Sequence, residues 1–369
     1  MVTLAYLVKY FTVNEENRVR SPKSPKRKLV INKKTEIMFK KYNSIENTYR
    51  EKEVEQIYLH EYDKETYVVQ EKVHGANFSF ITNGETIQVA KRSGLIVEGE
   101  NFSNYEYVLN MYSEAIKTLF RLLKIDYPET ETVTVFGELF GGSYEHKDVE
   151  RIKEMIRVQK GVFYSPENDF YAFDISINQT MYLDVDVANT YFETVELFYA
   201  KTIFQGTLQK CLDYPNIFQS KIPTWLKLPE IEENICEGVI IKPVASKHFR
   251  NGQRVIFKNK NEKWSERSHS KNKITKEIKA FSDLEKETAN YLLSYVSENR
   301  LMNVQSKLGE FSLKQIGKTI GLLAQDALVD FKKDYELQWK DIEKESQKRM
   351  TKMLNKEAAN MVKQIFLYR

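Results

Sequence analysis

Six charged residues stand where strand-like runs of this sequence begin or end: Lys72, Glu138, Glu237, Lys242, Lys258 and Lys260. In YVVQEKVHGANFSF, Tyr67 to Phe80, Val68, Gln70 and Lys72 alternate with Val69, Glu71 and Val73, and Gly75 permits a turn. That pattern fits a strand that presents a lysine at its end. VFGELFGG places Thr134, Phe136 and Glu138 on one face, ahead of Gly141 and Gly142. CEGVIIKPV carries Glu237 and Lys242 at the two ends of an apolar run, and VIFKNKN sets Lys258 and Lys260 at i and i+2. Two ammonium groups on one strand face repel unless an anion lies between them. Taken singly, each charge reads as a snorkelling side chain at a sheet edge. Taken together, converging cations suit a polyphosphate, with the carboxylates left for a divalent cation or a ribose. No glycine-rich phosphate loop is needed. IGKT at Ile316 to Thr319 resembles one, but the position five before Gly317 is Ser312, so the pattern fails.

The rest of the sequence must supply the frame for these charges. With 369 residues, 41% hydrophobic and 29% charged, the chain can bury a sizeable core and is long enough for two domains. A net charge of +4 does not by itself announce a nucleic-acid binder. There is no run of eighteen apolar residues, and MVTLAYLVKYF is too short and interrupted for a secretory signal. The expectation is a protein of the cytoplasm or an equivalent compartment, without a membrane, with Cys211 and Cys236 reduced. RVRSPKSPKRKLVINKK, Arg18 to Lys34, reads as a basic, solvated extension, or as an RNA-binding or targeting arm. From Ile57 to Lys260 short β-rich runs recur around one helix near YEYVLNMYSEAIKTLFRLL. Beyond Ser268 the spacing turns helical, through Ile274, Ile278 and Phe281 and again through Ile316, Ile320 and Leu323. The expected fold is α+β: an extension over 1–37, an antiparallel-sheet domain over 38–267 and a small all-α domain over 268–369.

EKVHGANF, KRSG, FGELFGG, YAFDI, EGVIIKP and FKNKN occur in the order found in covalent nucleotidyltransferases. They most closely resemble the RNA ligase 2 family, which includes a T-even phage RNA ligase and trypanosome RNA-editing ligases. MFKKYNSIENTY, from Met38, looks like the start of the phage members, so the first 37 residues are either a true extension or precede the real start. The resemblance implies an ATP-grasp-like adenylyltransferase domain followed by helices, and an ATP-dependent RNA ligase using Mg²⁺ or Mn²⁺. It implies three steps: a lysine attacks ATP to give lysyl-AMP, AMP passes to an RNA 5′-phosphate, and a 3′-OH attacks that phosphate. The implied partner is RNA with 5′-phosphate and 3′-OH ends, a nicked duplex in particular, met by a monomer.

Carried over motif by motif, the resemblance makes Lys72 the nucleophile, with neighbouring Lys242, Lys258 and Lys260 disfavouring its charged form and binding phosphates. Glu71 would read the adenine edge, Phe173 would stack on the base, and Arg92 and Glu138 would contact the ribose. Glu237 would stand at the metal. Val73 and Asn77 belong to the nucleotide contacts, and His74, Gly75 and Asp174 are auxiliary. Without the resemblance, Phe173 reads as a core aromatic, His74 as a structural histidine and Asp174 as a strand terminator. The wider superfamily carries Lys-x-Asp-Gly and continues into an OB-fold, whereas this chain has Lys-Val-His-Gly and helices. That favours an RNA ligase over a DNA ligase or a GTP-dependent capping guanylyltransferase. A catalytically silent RNA-binding protein is the other alternative, opposed by the intact set of lysines and glutamates.

Overall fold

The period-two patterns become two antiparallel-rich sheets. The computed structural model describes residues 38–264, 281–309 and 312–366. The basic extension, Ile274 and Ile278, and the expected boundary at 267/268 lie outside the described residues. The chain runs β1 (Glu46–Asn47), α1 (Glu51–Leu59), β2 (Tyr67–Glu71), β3 (Ala76–Thr82), β4 (Ile87–Lys91), β5 (Gly94–Leu95) and α2 (Tyr105–Asp126). It continues through β6 (Val133–Gly141), β7 (Asn168–Ile177), β8 (Met181–Tyr182), α3 (Val185–Thr194), β9 (Thr202–Gly206), α4 (Leu208–Leu212) and α5 (Ile222–Trp225). After β10 (Gly238–Pro243) and β11 (Phe257–Lys260) come α6 (Asp283–Ser294), α7 (Glu298–Leu308), α8 (Ile316–Asp334), α9 (Glu336–Asp341) and α10 (Lys344–Phe366).

One sheet has the order β1-β11-β10-β2-β9 and the other β5-β4-β3-β6-β7-β8. In the first, Tyr67, Val69, Val239, Ile241 and Phe257 pack on one side with Ile57 of α1 and Leu208 of α4. Strand alternation therefore turns Gln70, Ile240, Lys242 and Lys258 to the other side. In the second, Phe78, Phe80, Val135 and Phe170 form a core with Val108, Ile116 and Leu119 of α2, the amphipathic helix legible in the sequence. Lys72 to Gly75 is the link that carries the chain from the first sheet to the second. Gly75 is required there: an added Cβ would lie 2.1 Å from the Leu139 carbonyl oxygen and 2.9 Å from Glu138 Cγ. Gly75→Ala is expected to cost about 1–3 kcal/mol by overpacking, read as a lower urea midpoint. An unchanged midpoint would mean that β6 yields at no cost.

The helices beyond residue 281 bury their own core, including Leu292, Leu301, Leu323, Phe331, Met350 and Leu354. Helix α6 opens on a capping box between Ser282 and Glu285. Charge joins this helical region to the first sheet. Arg50 holds Asp330 at 3.0 Å and Asp334 at 2.7 Å, and Lys333 holds Glu46 at 2.6 Å. Among the described residues, no helix is long and apolar enough to cross a membrane.

Candidate active site

A cavity of about 380 Å³ is lined by both sheets, by the segment around Tyr42 and by α7 and α8. Lys72, one residue past β2, is fixed by its backbone N–H to the Gly238 carbonyl at 3.0 Å. Its Nζ lies 2.8 Å from Glu237 Oε2, while Lys260 Nζ lies 2.8 Å from Glu237 Oε1. One carboxylate, 1% exposed, thus separates two ammonium groups. His74 Nδ1 is 3.3 Å from the same Oε2, its ring packs on Trp264 at 4.6 Å, and its N–H donates to Tyr164 Oη at 3.0 Å. Burial alone would raise the Glu237 carboxyl, but Lys260 and Lys72 outweigh it and hold it well below the usual carboxylate range. Glu237 reaches this place because Gly238, at φ 143°, lets β10 press onto β11; a Cβ would sit 2.2 Å from the Asn259 carbonyl oxygen.

Sequence alternation alone offered Lys72 no carboxylate on its own strand face, and the ion pair with Glu237, 165 residues away, is what the fold adds. The other expected neighbour is placed differently. Lys242 Nζ donates to the Phe173 carbonyl at 2.9 Å and pairs with Asp174 at 3.0 Å. Since Lys242 is opposite Val68, four residues from Lys72, about 13 Å of strand separates their backbones. Lys258 and Lys260 both line the cavity, and Lys260 is tied to Lys72 through Glu237.

The second sheet contributes Asn77, Glu138, Phe173 and Asp174. Asn77 is opposite Glu138, and its Nδ2 donates to the Gly137 carbonyl at 3.4 Å. Burial pushes Glu138 up to about 7, against the pull of Lys72. Strand β7 shifts register at one point: Phe136 pairs with Asp174 and Gly137 with Ala172, leaving Phe173 as an extra residue. This bulge is why Ala172 and Ile175 both face the α2 core, while Phe173 and Asp174 both turn towards the cavity side. Asp174 pairs with Arg254 at 2.6 Å as well as with Lys242, and accepts from the Tyr42 hydroxyl. Burial opposes its charge, but Arg254 and Lys242 hold it at about 2.

Glu71 ends β2 with both carboxylate oxygens engaged, by Ser220 Oγ at 2.6 Å and the Lys221 N–H at 2.8 Å. Burial nonetheless pushes it up to about 7. Val73 lines the cavity while its side chain packs with Phe140 and Tyr164. Arg92 donates to the Tyr42 carbonyl and, at 3.4 Å, to the Asn43 carbonyl and Ser44 Oγ.

Sequence reasoning missed Tyr42, Arg254 and Ser220. Tyr42 packs edge-on against Phe173 at 5.1 Å, but it belongs to an extended segment with no periodic signal. Arg254 had a signal: Arg254, Ile256, Lys258 and Lys260 continue one period-two series.

Such a site can gather a polyphosphate beside an amine. Among the described residues no three His, Cys, Asp or Glu side chains group as a closed metal site. Glu138 is one of the carboxylates that line the cavity, and Glu237, which does not line it, reaches it only through Lys72 and Lys260. That set fits a hard divalent ion that keeps water and phosphate oxygens as its other ligands.

A family model described as RNA ligase matches residues 65–260, and one described as T4 RNA ligase 2 C-terminal matches residues 276–360. The chain is 31% identical to "RNA-editing ligase 1, mitochondrial" of Trypanosoma brucei brucei, over 73% of this chain and 71% of that protein. It is 28% identical to "RNA-editing ligase 2, mitochondrial" of the same organism, over 81% of this chain and 84% of that one. Among solved structures, a Naegleria gruberi RNA ligase mutant with AMP and Mn aligns at 13% identity and a TM-score of 0.40. That alignment spans 61% of this chain and 56% of the other, a likeness too distant to carry an assignment. Cations around a cavity would suit many enzymes of phosphate chemistry, but here the strands that bear them lie within one matched stretch, and by that match the protein belongs to the RNA ligase family.

Proposed function

We propose that this ATP-dependent RNA ligase works through Lys72 and seals nicks in duplex RNA. The observation that carries the reading is the Lys72–Glu237–Lys260 bridge at the cavity: a nucleophile and a phosphate-binding cation on one shared carboxylate. An ammonium has no lone pair, so Lys72 attacks only after its ion pair is given up and a proton has left. Its Nζ then bonds to the α-phosphorus of ATP, and the bond from that phosphorus to pyrophosphate breaks. Lys258 and Lys260 are the cations we assign to the departing negative charge. A divalent ion, held by Glu237 and Glu138, would add positive charge at the phosphates. In the second step an oxygen of the RNA 5′-phosphate attacks the lysyl-AMP phosphorus, and the Lys72 nitrogen leaves, recovering its proton. In the third the RNA 3′-OH attacks that 5′-phosphate, AMP departs, and the phosphodiester is made.

Phe173 is assigned to the adenine face, Glu71 to its edge, and Arg92 and Glu138 to the ribose. Val73 and Asn77 complete the nucleotide site, and His74, Gly75 and Asp174 support it. Lys242 acts on phosphate only after exchanging its Asp174 partner, so we assign it first to holding Phe173. We keep a monomer, in the cytoplasm or an equivalent compartment, as the accompanying reading. We keep the division into residues 38–267, which bear the chemistry, and 268–369, which position the duplex. Duplex RNA is read through phosphates, shape and 2′-OH groups, so little dependence on base sequence is expected.

The test is ligation of a nicked RNA duplex against the same ends without a complementary strand. Faster joining of the nick, by about tenfold or more at equal end concentration, is the expected result. Equal rates would remove the duplex reading. Protein labelling from GTP but not from ATP would replace it with a capping activity.

A further inference from the structure

Besides Lys72, Lys258 and Lys260, the lining of the cavity includes a second group of cations, drawn from three distant parts of the chain: Lys41, Arg92 and Lys307. Tyr42 turns its ring in against Phe136 and Phe173, so the neighbouring Lys41 is left exposed on a firmly anchored segment. Arg92 is held to that segment by the Tyr42 and Asn43 carbonyls. Lys307, in the last turn of α7, brings the third cation from the helical region. Acidic compensation is thin. Lys307 pairs with Asp326 at 3.2 Å, but Asp326 also accepts from the buried Arg300 at 2.5 Å. Lys41 makes no hydrogen bond or ion pair with a described residue. Burial, then Arg92 and Lys307, push its ammonium below the ordinary lysine range, with Asp326 pulling the other way. Arg92 also faces Glu138, which Lys72 and Lys260 share, so the three cations have only Asp326 and Glu138, each divided with other cations, to balance them, an excess arranged for an anion.

We propose that Lys41 and Lys307, beside the Arg92 assigned above to the ribose, form a second phosphate subsite, which takes a backbone phosphate of the RNA strand next to the reacting end. The proposal rests on the functional reading above. With the α-phosphorus at Lys72, the triphosphate lies along Lys258 and Lys260, so ATP has no further phosphate to offer the second group. Lys41 is exposed, as a polymer that continues beyond the cavity requires. Because Lys307 comes from the helical region and Lys41 from the segment before β1, the subsite exists only while that region is docked.

The test uses full-length Lys41→Ala and Lys307→Ala. Wild type and variants are first charged with ATP, and the KM for ATP in protein labelling is measured. Binding of a nicked RNA duplex is then followed over a KCl series. Labelling should be unchanged, and RNA affinity should fall several-fold. The slope of log affinity against log salt should be less steep by about 0.7–0.9 for each lysine removed. A raised KM for ATP with unchanged RNA binding would assign the group to the triphosphate and overturn the proposal. An unchanged salt slope would overturn it too. Since Lys41 is on the surface and bonds to no described residue, its variant keeps the test valid even if Lys307→Ala disturbs the docking of α7. Wild type that takes label but neither binds nor joins RNA would overturn the functional reading and the subsite with it. Wild type that joins RNA while both variants match its slope overturns the subsite alone.

Discussion

Lys72→Ala protein, incubated with α-labelled ATP and a divalent cation, is expected to carry no label through denaturing electrophoresis, whereas the wild type does. Removing the nitrogen removes the bond to be formed, so self-adenylylation should fall by at least about 10³-fold, roughly 4 kcal/mol of barrier. The fold should survive. The Lys72 side chain is 19% exposed, and Glu237 keeps Lys260 as a partner after the change. A circular-dichroism melt close to wild type would separate lost chemistry from lost structure. One rival is specific to this geometry. Lys260 sits at the same 2.8 Å from Glu237 and could itself carry the AMP. Label that persists in Lys72→Ala and maps by mass spectrometry to Lys260 would overturn the assignment. Loss in Lys72→Ala, with label retained in Lys260→Ala at a reduced rate, would fix the nucleophile and leave Lys260 to the phosphates.

What the sequence made legible was what strand alternation controls. Lys258 and Lys260 share a face because they are two residues apart, and Lys72 ends its strand because Gly75 follows. Periodicity likewise placed the amphipathic helix α2 and the start of α8. Three things were not readable, each for a physical reason. The partner of Lys72 depends on the pairing of β2 with β10 and of β10 with β11, a long-range register that no local pattern encodes. The bulge at Phe173 breaks the alternation, so a strict period-two reading would put Phe173 and Asp174 on opposite faces of β7. The contribution of α7 and α8 to the cavity follows from tertiary docking through Arg50, whose partners on α8, Asp330 and Asp334, lie 280 and 284 residues away in sequence. The motif resemblance made up for the first two by marking residues, though not by explaining their geometry.

Asp174→Asn is expected to be among the most damaging single changes outside the nucleophile. The carboxylate is 2% exposed and balances two buried cations, Lys242 at 3.0 Å and Arg254 at 2.6 Å. Taking away the shared anion leaves both without charge compensation, and breaking a buried pair in this way costs about 3–5 kcal/mol. The pH dependence gives an independent reading. The carboxyl is held at about 2 in the folded chain, and an ordinary unfolded aspartate titrates at about 3.9. A depressed folded value means stability fully present above the unfolded value and lost as the pH falls towards 2. The loss should amount to about 2–3 kcal/mol. Urea midpoints at pH 7 and pH 3 should therefore converge between wild type and variant as the acid limb is entered. A variant as stable as wild type at pH 7 would show that the two cations are solvated or rearranged, and would remove the argument. Adding Lys242→Met to Asp174→Asn tests what the network is for, since a buried ion pair exchanged for apolar packing often recovers stability. Lys242 also donates to the Phe173 carbonyl at the bulge. If the double variant regains stability but not labelling from ATP, the charges serve to aim Phe173 at the base. If it regains both, the fold needs only the volume they fill, and the bulge alone positions the ring.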